Sequence, residues 1–180
     1  MDAAYFSFIG VGFMLVELPS AQRFVLFLGH PSYATTVVLT CLLLGAGVGS
    51  LRAARLSSRA IQLHMAALPV AVVVLDLVCG SLLSATLGQT FVVRVGITSL
   101  MLVPLGYLMG VPLPAGMNVF EERHKAWFWA MNGAASVLAG VLSLALTMLL
   151  GFLATTIVGG AFYAIAALQM VVVTARRSRT

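Results

Sequence analysis

Two acids stand where acids are costly. Glu17, in "VELPSAQRF", and Asp76, in "VVVLDLVCG", each lie inside a long apolar run. An ionisable side chain at mid-membrane is expensive unless it is paired, protonated or hydrated, which makes it a functional candidate by default. The chemistry open to such a pair is the handling of protons or cations, facing a polyamine or another organic cation. The structural alternative is interhelical hydrogen bonding to Asn132, to Gln22, or to a backbone carbonyl that Pro19 leaves without its usual donor. Gln22 and Arg23 follow Glu17 a turn or so further on. Arg23 therefore either contacts Glu17 within the helix or extends to the headgroups.

A second stretch suggests different chemistry. "LLLGAGVGSLRAARL" (residues 42–56) sets three glycines at alternate positions before a helix, as in loops that cradle a nucleotide. That reading needs alternating strands and helices, and an acid about 20 residues further on. No acid occurs between Glu17 and Asp76, and Ser50 stands at the third classical glycine position. Cys41, Gly45 and Gly49 instead recur every fourth residue, a small-residue stripe that lets helices approach closely. The stretch reads as a packing surface at the inner end of a membrane helix, followed by a basic loop.

Other reactive residues form no constellation. Cys41 and Cys79 lie in apolar segments as small hydrophobes, and no cysteine or histidine spacing predicts a metal site. His30-Pro31 reads as a turn. No catalytic residue, metal or cofactor is expected. The ten Lys and Arg sit in short clusters between apolar blocks, without the long basic face and interleaved aromatics of a nucleic-acid surface.

The elements that must carry these residues follow from composition. Of 180 residues, 61% are hydrophobic and 8% charged, against about a quarter charged in a soluble domain. The mean hydropathy is +1.08. A membrane helix needs about 20 mostly apolar residues. Six segments qualify within one all-α domain over 1–180: roughly 3–28, 32–50, 63–84, 91–116, 127–150 and 152–174. Pro19 marks a place for the first to kink or break. Pro104, Pro112 and Pro114 interrupt the fourth, and a tight turn near Gly151 separates the last two. The N-terminus lacks the basic start of a cleaved signal peptide. Arg52, Arg55, Arg59, Arg123, Lys125, Arg176, Arg177 and Arg179 fall on one side of this arrangement, and only Arg23 and Arg94 near the other. The positive-inside tendency then puts both termini in the cytosol. At 1.5 Å per residue, Glu17 lies ~21 Å and Asp76 ~16 Å along outward-running spans, at or somewhat beyond the midplane. On the fifth span Asn132, Ser136, Ala139 and Ser143 share a face of small, mildly polar residues, suited to packing or to a hydrated path. Trp127 and Trp129 suit the interface.

Three blocks carry a family resemblance. "YFSFIGVGFMLVELPSAQRFVLFLGHPSYATTVVLTCLLLGAGVGS", "GYLMGVPLPAGM" and "AWFWAMNGAASVLAGVLSLALTMLLGF" occur in that order. They resemble the C-terminal membrane region of bacterial spermidine-synthase-like, or fused major-facilitator/spermidine synthase, proteins. The resemblance covers nearly the whole chain and implies a bacterial inner-membrane protein like one half of a major-facilitator-type fold. In the long proteins an aminopropyltransferase-like domain lies upstream and binds decarboxylated S-adenosylmethionine and a polyamine. Its acidic catalytic strands are not among these residues, so its activity is not carried over. Glu17, Pro19, Gln22, Arg23, His30, Pro31 and Asn132 match motif positions of the family. Its span-four motif usually ends in a basic residue, where this chain has Asn118, which weakens any expectation of an anion contact there.

Three classes of function follow. The first is a transporter-like module for a small cation such as a polyamine. The second is a non-catalytic membrane anchor or partner for a soluble aminopropyltransferase or methyltransferase. The third, an enzyme acting on lipid-soluble substrates, is disfavoured because no histidine cluster or nucleophile motif occurs. Six spans complete a facilitator-like pathway only with a second half, so a homodimer or a second membrane subunit is expected alongside the lipid bilayer.

Overall fold

The computed structural model describes residues 2–120 and 124–177, all-helical with no strand among them. Six helices follow in order: α1 (Asp2–Leu28), α2 (Pro31–Ala53), α3 (Ser58–Thr86), α4 (Phe91–Met109), α5 (Pro112–Val119) and α6 (Lys125–Arg177). With α4 and α5 taken together as Phe91–Val119, five helices are long and apolar enough to cross a membrane. Where the sequence suggests two separate final spans, the structure has one helical run of 53 residues interrupted only at Gly151, whose backbone is non-helical (φ 83°, ψ 174°). The chain reverses there. Thr147 Oγ1 donates to Thr155 Oγ1 across 3.4 Å, whereas residues eight apart on a straight helix are separated by ~12 Å of rise. The limbs 125–150 and 152–177 therefore lie side by side. That φ/ψ combination is open essentially to glycine alone. Gly151→Ala is expected to cost about 1–3 kcal/mol, read as a lower unfolding temperature in detergent.

Helix α1 is the central rod. Apolar and small residues are buried around most of its circumference, from Tyr5, Phe6 and Ile9 to Phe24, Phe27 and Leu28. Both limbs of α6 pack on it. Phe6 stacks on Phe128 with centroids 4.6 Å apart, while a Cβ at Gly12 would lie 3.0 Å from the Tyr163 ring. Helix α1 runs unbroken through Pro19 and α4 through Pro104, since membrane helices re-satisfy the backbone groups that proline frees. The interruption of the fourth span lies at Gly110–Val111. Pro112 begins α5 there, a position where its missing N–H costs nothing, and Pro114 sits in the same first turn.

Helix α3 buries Ile61, Met65, Leu68, Val72, Asp76, Cys79 and Leu83. The three- and four-residue spacing makes one seam. The opposite face exposes Leu63, Val70, Val74 and Leu77, an apolar surface suited to lipid rather than water. Between α2 and α4 the glycines do the packing: Gly45 and Gly49 lie against the backbone of residues 103–107, and Gly106 against Leu42. The stretch resembling a nucleotide loop is continuous helix.

The two ends of the bundle are distinct. Asp2 and Val172 line one groove, and Gln62 donates to Thr174. The start of α1, the start of α3 and the end of α6 therefore share one end, with Arg52, Arg55, Arg59 and Lys125 nearby in the chain. At the other end Tyr33 meets Phe91. Gly29 (φ 85°) ends α1 there, and the His30 side chain accepts from Ser32 N–H to cap α2. Arg123 and Arg179, and the side chains of Arg176 and Arg177, lie outside the described residues.

Candidate functional site

Asp76 points inward because it occupies a core position of the α3 seam, and α1 supplies its partner. Arg23 Nη1 donates to Asp76 Oδ1 at 2.7 Å and to the Asp76 carbonyl at 3.0 Å, while Nη2 reaches Oδ2 at 3.4 Å. The guanidinium also sits 5.3 Å from the Phe152 ring centroid, just past the α6 reversal. One arginine thus joins α1, α3 and the tip of α6. The side chains are 20% and 7% exposed. Beside the pair is a cavity of about 10 Å³ lined by Val16, Pro19, Ser20 and Thr156, close to the ~10–15 Å³ that one water needs. Among the described residues Arg23 pairs with Asp76, 53 positions away, and not with Glu17.

Glu17 is 7% exposed. Among the described residues it takes part in neither a salt bridge nor a hydrogen bond, and lies within electrostatic reach of Tyr163. The two acids are therefore in opposite situations, one holding a fixed counter-ion and the other none. Asn132 does not join them. Its Nδ2 donates to the Phe6 carbonyl at 2.9 Å, and Ser136 Oγ donates to the Asn132 carbonyl. Gln22 is half-buried. Sequence reading missed Arg94, whose Nη1 donates to the Phe27 carbonyl at 2.7 Å in the last turn of α1, where a cation complements the helix dipole. It also missed Tyr5 Oη, which donates to the Pro112 carbonyl at 2.7 Å and ties α1 to the helix interruption. A tyrosine so near a chain end carries no spacing signal for a partner 107 residues away.

A groove of about 540 Å³ opens between residues 9–14 of α1, 43–50 of α2, the α4–α5 interruption and 129–136 of α6. Apolar side chains dominate its wall, with Ser50, Asn132 and Ser136 as polar members and no ionised group among the described residues. Its size falls in the ~300–1,000 Å³ range of small-molecule sites.

No family model, curated protein or solved structure matches the chain. The residues themselves offer a closed ion pair, an acid without a counter-ion among the described residues and a mildly polar groove.

Proposed function

We propose that the chain is a transporter-like membrane module that carries a small organic cation on Glu17. The observation that supports this is the buried Glu17 carboxyl on the central helix, with no cationic partner among the described residues. A buried charge without a partner is costly, so an acid lacking a fixed counter-ion is the one able to trade a proton for a cation. Asp76 already holds Arg23, so its role is to fasten α3 to α1.

The wider setting of this reading is a bacterial inner membrane crossed six times, with a half-bundle of major-facilitator type. The reversal at Gly151 supports six crossings, since each limb of α6 spans ~39 Å at 1.5 Å per residue, against a hydrocarbon core of ~30 Å. Cytosolic termini are supported by Arg52, Arg55 and Arg59 lying at the end of the bundle that holds the start of α1. A second copy or another membrane subunit supplies the missing half. The family resemblance suggests a polyamine as cation and a soluble aminopropyltransferase-like partner. A second reading, a non-catalytic membrane anchor, is favoured by the closed Arg23–Asp76 pair.

Reconstituted vesicles separate the two. Uptake of labelled spermidine and of a permanently charged trimethylammonium cation, neither of which leaks across lipid readily, is measured for the parent chain and Glu17→Gln. Transport predicts uptake that falls to the empty-vesicle level in the variant. Equal uptake by both chains above the empty-vesicle level removes Glu17 as the carrying acid, and uptake by neither favours the anchor.

A further inference from the structure

The groove and Glu17 belong to one face of α1. Gly10, Phe13 and Met14 line the groove, and Glu17 follows at the next turn of the same stripe (i, i+3, i+4, i+7). Side chains on a helix lean toward its N-terminus, which here is the direction of the groove. The α1 lining of the groove ends at Met14, one turn short of Glu17. A ligand that fills it from the half of the bundle where α1 begins therefore has its inner end directed at the acid. The other walls of the groove show what an occupant must tolerate. They carry no ionised group, and their polar members are an amide and two hydroxyls. On α6, Trp129, Asn132 and Ser136 line it from one stripe (i, i+3, i+7).

We infer that this groove is the ligand site and that it takes a monoamine with an apolar body, its ammonium at Glu17 and its body along Phe13, Met14 and Trp129. A di- or polyamine fits worse. Its second ammonium would lie against apolar walls, where a charge without a partner is costly. The inference rests on the reading of Glu17 as the cation-carrying acid and narrows the class of cation.

Isothermal titration of the full chain in lipid nanodiscs, against matched empty nanodiscs, compares 2-phenylethylamine with 1,4-diaminobutane. Two variants accompany the parent. Glu17→Gln removes the charge at constant shape. Gly47→Leu fills the groove from a position where an added Cβ meets no atom within 4 Å, and its unfolding temperature is checked against the parent's. The monoamine is expected to bind at least about tenfold more tightly than the diamine, and each variant to weaken it by about tenfold or more. Equal or tighter diamine binding that still depends on Glu17 overturns the monoamine assignment and leaves Glu17 as the carrying acid. Monoamine binding that depends on Glu17 but is unchanged by Gly47→Leu overturns the groove alone. Absence of amine binding, or binding indifferent to Glu17→Gln, overturns this inference together with the reading beneath it.

Discussion

Asp76→Ala is expected to destabilise the bundle by about 3–5 kcal/mol, the cost of leaving a buried charge without its partner. The variant strands the Arg23 guanidinium between Phe152 and an emptied α3 seam, with the backbone carbonyl of residue 76, the aromatic face and the neutral Cys79 side chain left to it but no counter-charge. Arg23→Met removes the other half and leaves a carboxylate on the same seam, so it should be harmful to a similar degree. The informative variant is the double one. Replacing both, Arg23→Met with Asp76→Leu, removes the charges and restores apolar bulk, a change that is often neutral or stabilising for buried pairs. Thermal unfolding in one detergent therefore predicts two damaged single variants and a double variant close to the parent. Damage in the double variant equal to the sum of the singles would mean that the residues act independently and that the pair is not what joins α1 to α3. Glu17→Gln, which breaks no ion pair among the described residues, should leave the unfolding temperature close to the parent value, and this keeps the effects of the two acids on stability and on transport distinct.

That contrast explains what the sequence made legible. The structure sets Asp76 in a seam with Val72, Cys79 and Leu83 at intervals of three and four, a periodicity that the uniformly apolar letters around it did not single out. Membrane cost marks both acids as candidates from their surroundings alone. The partner of Arg23 was not legible, since local reasoning offered only Glu17 on the same helix or the headgroups, and the true partner lies 53 residues away on a helix whose rotation is set by tertiary packing. The prolines show the same limit. Pro19, Pro104 and Pro112 are alike as letters, yet only the last coincides with an interruption, at Gly110–Val111, where Tyr5 Oη bonds the Pro112 carbonyl. The groove was invisible for a related reason, because five helices from separate parts of the chain leave it between them. Asn132 was a sound candidate by type, but its amide is engaged with the Phe6 carbonyl, which makes it part of the wall rather than a partner of either acid.

The alternating glycines allow the sharpest test of helix packing, because neighbours in one short stretch are predicted to behave oppositely. A Cβ at Gly45 would strike the Val103 carbonyl and lie 2.7 Å from the Tyr107 nitrogen, and one at Gly49 would strike the Tyr107 carbonyl. These obstacles are backbone atoms of α4, which cannot rotate aside as a side chain can. Relief requires α2 and α4 to separate, and α4 presents Gly106 and Gly110 to α2 in return, with Leu42 and Ala46 backbone close against them. Separation would therefore spoil contacts along both four-residue glycine spacings, and would pull on the Cys41–Ser99 hydrogen bond, 3.3 Å long, one turn away. Gly45→Ala and Gly49→Ala are each expected to cost about 1–3 kcal/mol, the usual range for overpacking, with larger side chains costing more. Gly47 points elsewhere, with nothing within 4 Å of an added Cβ, and glycine inside a helix is intrinsically poorer than alanine. Gly47→Ala is thus expected to be neutral or to stabilise by up to about 1 kcal/mol. Unfolding temperatures of the three variants in one detergent decide the matter. Equal losses at all three positions would contradict close α2–α4 packing, whereas losses at 45 and 49 with none at 47 follow only if the two helices meet through those glycines.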